Sequence, residues 1–332
     1  MKKYISVSLL FLLGCANHSS QSPGMGNIER LDASLDAIIS ADAKIEVIAT
    51  GCDWSEGPLW IDKHKMLLFS DIPKNAIYQW TKEKGKQIYL TPSGYTDSVQ
   101  RGGESGSNGL ILDKKGNLVL CQHGNRQMAR MDAPLDKPMP NFTSLANLYN
   151  GKRLNSPNDA VYNSKGELFF TDPPYGLEKN MNDPTKEIPF QGVYKVKVDG
   201  TVVLLIDSIT RPNGIAFFPG EKKLLIANSD PEKPHWYIYD VDENGDLQNG
   251  KLFYDASEAG QNVKGLPDGL KIDKNGNVFA TGPGGVWIFN SMGKLIGKIR
   301  VPEATSNCAF SADEKTLFIT NDMQVLSIQL RE

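Results

Sequence analysis

The chain has 332 residues, 36 Lys and Arg against 39 Asp and Glu, a formal net charge of −3, and 40% hydrophobic residues. That is enough apolar material for a substantial core, and the absence of a basic stripe with interleaved aromatics argues against a nucleic-acid partner. The 31 glycines and 19 prolines suit a chain with many turns, and after residue 45 no long stretch keeps a helical period.

At the start, Lys2 and Lys3 precede an apolar run from Ile5 to Leu13 that is too short to span a bilayer. Leu12-Leu13-Gly14-Cys15 resembles a bacterial lipobox, so residues 1–15 read as a lipoprotein signal peptide ending at a lipidated Cys15. An ordinary cleaved signal peptide is the alternative. Ala16, where an aspartate would alter sorting, fits an outer-membrane lipoprotein facing the periplasm. Residues 16–41, with Ser19, Ser20, Ser22, Pro23 and Gly24, are expected to be a flexible tether, and 42–332 the folded domain. The lipid would be its one membrane contact, and a monomer is expected.

Six similar segments then follow in order: Trp54-Ser55-Glu56-Gly57, Gly106-Ser107-Asn108-Gly109, Ser156-Pro157-Asn158-Asp159, Arg211-Pro212-Asn213-Gly214, Leu266-Pro267-Asp268-Gly269 and Thr305-Ser306-Asn307-Cys308. Each puts one oxygen-bearing side chain at the same repeat position, with 39 to 55 residues between successive heads. After each head come an apolar run, a polar turn and a second apolar run, the pattern of an antiparallel hairpin that returns to its starting end. Periods of this size suit propeller blades. The predicted fold is therefore an all-β, six-bladed β-propeller.

First strands of propeller blades line the central channel, so Glu56, Asn108, Asn158, Asn213, Asp268 and Asn307 are expected to converge at one mouth. The second strands should return Asp71, His123, Asp172, Asn228, Thr281 and Asn321 to that same face. There His123 is a candidate acid or base and Asp172 a candidate ligand contact, each with a structural hydrogen-bonding role as the alternative. The long segments Thr91–Ser107 and Pro173–Gln191 should overhang the mouth, which makes Arg101, Arg126, Arg153 and Tyr175 candidate substrate contacts. Of the cysteines beyond the signal, Cys52 and Cys308 flank the ring closure, so a bond between them and three buried thiols are both open readings.

Two carboxylates brought together and partly dehydrated repel each other unless a cation lies between them. Glu56 and Asp268 with four amide oxygens match a hard divalent ion such as Ca²⁺; a water-filled mouth lined by amides is the alternative. No serine-nucleophile elbow and no phosphate-binding glycine loop occurs.

On these residues the chain resembles the gluconolactonase, regucalcin and senescence-marker-protein family over about residues 45–330, and is similar in plan to the diisopropylfluorophosphatase propellers. The most specific stretch is Gly151-Lys152-Arg153-Leu154-Asn155-Ser156-Pro157-Asn158-Asp159, followed by Phe170-Thr171-Asp172-Pro173-Pro174-Tyr175-Gly176-Leu177, which looks like the bacterial gluconolactonase branch. The resemblance implies a small-molecule sugar lactone substrate, such as glucono-1,5-lactone, and one catalytic divalent ion, usually Ca²⁺, with Mg²⁺, Mn²⁺ or Zn²⁺ as alternatives. It implies Glu56, Asn158, Asn213 and Asp268 as metal ligands, Asp268 as general base or nucleophile, and Asn108 near the substrate. Ser156 stands where regucalcin-type members carry arginine. An organophosphate or aryl-ester hydrolase on the same site, and a non-catalytic, calcium-stabilised binding propeller, are the competing readings.

Overall fold

A computed structural model describes residues 25–99, 101–258 and 263–331. The signal segment and Cys15 lie outside them. Six antiparallel sheets follow one another around a ring, each built as a meander in which neighbours in sequence are neighbours in space. Blade 1 comprises Ser55–Ile61, Met66–Asp71, Ala76–Thr81 and Gly85–Leu90. Blades 2, 3 and 4 repeat the plan from Ser107–Leu112, Ala160–Tyr162 and Pro212–Phe217.

Blades 5 and 6 borrow from the beginning of the chain. Blade 6 consists of Thr305–Phe310, Thr316–Asn321 and Gln324–Gln329, completed by Ile45–Thr50 paired antiparallel to the last strand. Blade 5 starts at Leu270–Ile272 and gains a fifth strand, Asn27–Arg30, against Leu295–Arg300. A short 3₁₀ turn, Ala33–Ala37, follows, capped by Asp32 accepting from the Ser34 N–H, and it drives Leu35 into the core beside Ile39, both fully buried. Residues 27–41 are thus part of the ring, which corrects the expectation of a tether running to residue 41. Alternation of apolar residues along these strands could not be separated from a linker by composition alone.

Apolar side chains of facing sheets fill the spaces between blades. Trp236, Trp287 and Phe289 pack between blades 4 and 5, and Phe169 meets Phe217 edge-on between blades 3 and 4. Cys52, Cys121 and Cys308 are buried free thiols. Hydroxyls on the second strands of blades 1, 3 and 5 tie each to the next blade: Ser70 Oγ donates to the Asn108 carbonyl (2.8 Å), Thr171 Oγ1 to that of Asn213 (2.7 Å), and Thr281 Oγ1 to that of Ser306 (3.1 Å). These bonds also fix the backbone from which the polar heads project. No helix among the described residues is long and apolar enough to cross a membrane.

Candidate active site

The heads are placed by breaks in the strand ladder. Register shifts between Glu56 and Leu59, Ser107 and Leu110, Pro212 and Ile215, and Thr305 and Asn307 insert an extra residue at the start of four first strands. Such bulges redirect a side chain that regular pairing would send sideways. Asn158 and Asp268 instead sit just ahead of Ala160–Tyr162 and Leu270–Ile272. The glycine after a head serves the packing of backbone on backbone. A Cβ on Gly57, whose φ is +51°, would lie 2.1 Å from the Asn108 carbonyl oxygen, and one on Gly214 would lie 2.3 Å from that of Asp268.

One cavity of about 310 Å³ opens where these heads meet, bordered by Glu56, Asn108, Asn158, Asn213, Asp268 and Tyr175. Glu56 Oε2 accepts only its neighbour's N–H, from Gly57 at 2.8 Å. Ser229 Oγ accepts from the Asn213 amide nitrogen (2.9 Å) and donates to the Pro267 carbonyl (2.6 Å), so the remaining Asn213 polar atom is its carbonyl oxygen. Asp268 Oδ1 and Asn108 Oδ1 are buried acceptors without a hydrogen-bond partner among the described residues. Burial, then the Gly57 N–H working the other way, then the nearby carboxylates set the Glu56 carboxyl, and the balance is well above the ordinary range. Asp268 is pushed up as well, by burial first and then by Glu56.

Orphaned acceptors and mutually repelling buried carboxylates are the chemistry of a cation site, and every donor in this set is a hard oxygen. No group of three or more His, Cys, Asp or Glu side chains arranged to hold a metal occurs among the described residues. The donor set is instead two carboxylates supplemented by amides.

Several sequence-selected residues stand apart from the cavity wall. His123 is fully buried behind Asn108, its Nε2 3.4 Å from the Asn108 amide nitrogen and its Nδ1 3.2 Å from Glu104 Oε2. Asp172 accepts the Asn155 and Ser156 N–H groups at 2.7 and 2.8 Å and so shapes the turn that delivers Asn158; burial pushes its carboxyl up to about 7 against those bonds. Arg153 is exposed and lines a different cavity with Arg101 and Arg126. The second-strand ends of blades 1, 4 and 6 likewise hold the backbone ahead of a head: Asp71 accepts the Asp53 and Trp54 N–H groups, Asn228 that of Arg211, and Asn321 donates to the carbonyls of Glu303 and Ala304. In blade 2 the position opposite Ser107 belongs to Gln122, one residue before His123.

Asn307, unlike the other heads, does not border the cavity. Its amide donates toward Asp159 Oδ2 (3.4 Å) and its oxygen accepts from Lys271 Nζ (3.1 Å), with Lys271 3.9 Å from Asp159. Asn307 and Asp159 are buried and Lys271 is half-buried, and none of the three borders the cavity. Sequence reasoning did not single out Asp159, Lys271, Glu104 or Arg211. Glu104 and Arg211 border the cavity; Arg211 stands two residues before a head, so the repeat itself carried a signal for it, whereas Glu104 arrives on a loop with no repeat position.

Residues 54–322 match the SMP-30/Gluconolactonase/LRE-like region. The chain is 36% identical over 322 residues to the gluconolactonase of Zymomonas mobilis subsp. mobilis, covering 95% of this chain and 89% of that one. Among solved structures, a Xanthomonas campestris gluconolactonase superposes with a TM-score of 0.78 at 28% identity, covering 93% of this chain and 97% of that one. The regucalcin of Agrobacterium tumefaciens, described as a calcium-binding protein, shares the fold with a TM-score of 0.66 at 18% identity over 86% of this chain and 93% of that one.

Proposed function

Because the chain belongs to the SMP-30/gluconolactonase family, we propose that it hydrolyses a sugar lactone such as glucono-1,5-lactone in this cavity, with a divalent ion, Ca²⁺ first among them, held by Glu56, Asn158, Asn213 and Asp268. It is a lactone-hydrolysing carboxylic ester hydrolase. The observation that carries the site is the pair of buried, unpartnered oxygens, Asp268 Oδ1 and Asn108 Oδ1, at the edge of a cavity large enough for one sugar ring. When bound, the ion supplies positive charge that polarises the lactone carbonyl.

The chain's own groups handle the proton. Asp268, in its ionised form, takes a proton from the attacking water as the water oxygen bonds to the carbonyl carbon. The ring C–O bond then breaks, and the proton passes to the departing alkoxide to leave a hydroxy acid. Asn108, its amide nitrogen beside His123, accepts a hydrogen bond from a substrate hydroxyl on its free Oδ1. Tyr175 and Arg211 border the same cavity and present a hydroxyl and a guanidinium to the sugar hydroxyls. His123 positions Asn108, and Asp172 positions the Asn158 turn. Arg153 is left without a part in lactone binding.

At the N-terminus, lipidation of Cys15 would hold the enzyme at the outer membrane facing the periplasm, and loss of membrane fractionation in Cys15→Ser is the expected result. Acid release from a panel of sugar lactones, measured after chelation and during Ca²⁺ titration, tests the central reading. Turnover restored by Ca²⁺ supports it. Turnover of aryl esters or phosphotriesters alone would replace the substrate class, and an intact, calcium-loaded protein inert to all of them would make this a binding propeller.

A further inference from the structure

A second cavity, of about 420 Å³, shares no lining residue with the first. Three arginines border it: Arg101, Arg126 and Arg153. Arg126 is only 3% exposed. Its Nε donates to the Leu154 carbonyl (2.7 Å) and its Nη1 to that of Thr185 (2.9 Å), while Nη2 has no hydrogen-bond partner among the described residues. Arg101 donates to the carbonyls of Gly124 and Gly176. Arg153 is exposed, with its backbone N–H held by Glu187 (2.7 Å) and its guanidinium uncommitted among the described residues.

The carboxylates that border the cavity, Asp97, Glu178 and Asp183, are committed to other donors, Asp97 accepting the Val99 N–H (3.3 Å) and the Ser98 hydroxyl (3.4 Å). Asp183 accepts the Thr185 N–H (2.8 Å) and hydroxyl (2.6 Å) and the Lys179 N–H (3.0 Å), and Glu178 accepts the Gly102 N–H (2.5 Å). The arginine ion pairs among the described residues belong to Arg30, Arg130 and Arg300. Three guanidiniums therefore converge without an ion-pair partner. Burial first, and the Arg153 charge next, hold the Arg126 guanidinium below its ordinary value. A planar fork with a spare N–H, beside two further cations, is suited to an oxyanion with several acceptor oxygens.

We propose that this cavity is an oxyanion site, separate from the lactone cavity, which takes a phosphate-type dianion on Arg126 Nη2 and Arg153, with Arg101 adding charge. A free inorganic ion and the phosphoryl group of a phosphosugar share that chemistry. Occupancy would brace the Arg101 loop three residues before Glu104, and so reach the wall of the first cavity. The proposal stands whether or not the lactone reading does.

Isothermal titration of the intact, chelated protein with inorganic phosphate and with glucose 6-phosphate tests it. One-site saturable binding is expected, weakened about tenfold or more in Arg153→Ala, as loss of a charge-assisted hydrogen bond implies. It should be lost in Arg126→Met and kept in Asp268→Asn. Tighter binding of the sugar phosphate identifies the phosphoryl group of a phosphosugar as the source, and equal binding identifies the free ion. Because Arg126 also anchors two carbonyls, the exposed Arg153 carries the test if Arg126→Met does not fold. The proposal is overturned if neither anion binds saturably, if Arg153→Ala binds as the parent does, or if Asp268→Asn abolishes binding.

Discussion

Asp268 carries the sharpest expectation because its charge, and not its shape, does the chemistry. Asp268→Asn keeps volume and backbone while removing the base, and initial lactone hydrolysis rates should fall by about 10²- to 10⁴-fold while the propeller stays folded. Unchanged rates would remove Asp268 from the proton-transfer role. The same residue and Glu56 make the cation-free fold pH-sensitive. Both carboxyls titrate above their ordinary values in the folded chain, so near neutrality the native state holds protons that the unfolded state has released. Stability of the chelated protein should therefore decline as pH rises from about 5 to about 8. Calcium should flatten that decline and release protons on binding. Melting curves across this range check the sign, and Glu56→Gln with Asp268→Asn should remove this pair's contribution. The head residues were legible in the sequence because one repeat position recurs six times; Glu104 was not, because what brings it to the cavity is the path of a loop.

Among the elements, the hairpins explain which polar residues are chemical and which are structural. A residue at the end of a second strand reaches the backbone just ahead of its own blade's head, so Asp71, Asp172, Asn228 and Asn321 are held by hydrogen bonds before any substrate arrives. Sequence periodicity brought that ring to the correct end of the sheets and could not say which way its side chains turn. Asp172→Ala would strip two buried N–H groups of their acceptor and should cost about 2–4 kcal/mol, read from chemical denaturation. Gly57→Ala tests the close approach of adjacent heads. With φ at +51° and a carbonyl oxygen 2.1 Å from the new Cβ, it should destabilise by about 3 kcal/mol and lower lactone turnover with it. A Gly57→Ala protein with parental stability would show that neighbouring heads are free to move apart.

For the whole molecule, the repeat foretold six blades but not how the ring is closed. Polar, serine-rich composition before residue 27 and apolar alternation after it merge without a marker, so the boundary of the folded unit was placed too late. Removal of residues 1–24 should leave thermal stability intact. Removal of residues 1–44 takes away the Asn27–Arg30 strand and the buried Leu35 and Ile39, and should lower stability by about 3 kcal/mol or more, given the usual loss for each large buried side chain. Equal melting temperatures for the two truncations would mean that this segment only decorates the ring. The pairing of Ile45–Thr50 with Gln324–Gln329 has a further consequence for how the protein comes into being. That early strand must wait, with its edge unpaired, for the last one, and contacts between such distant positions make folding slow. A ribosome or translocon that has delivered five blades has delivered nothing that can close, so the ring, and the mouth where its heads meet, become complete only when the final strand arrives.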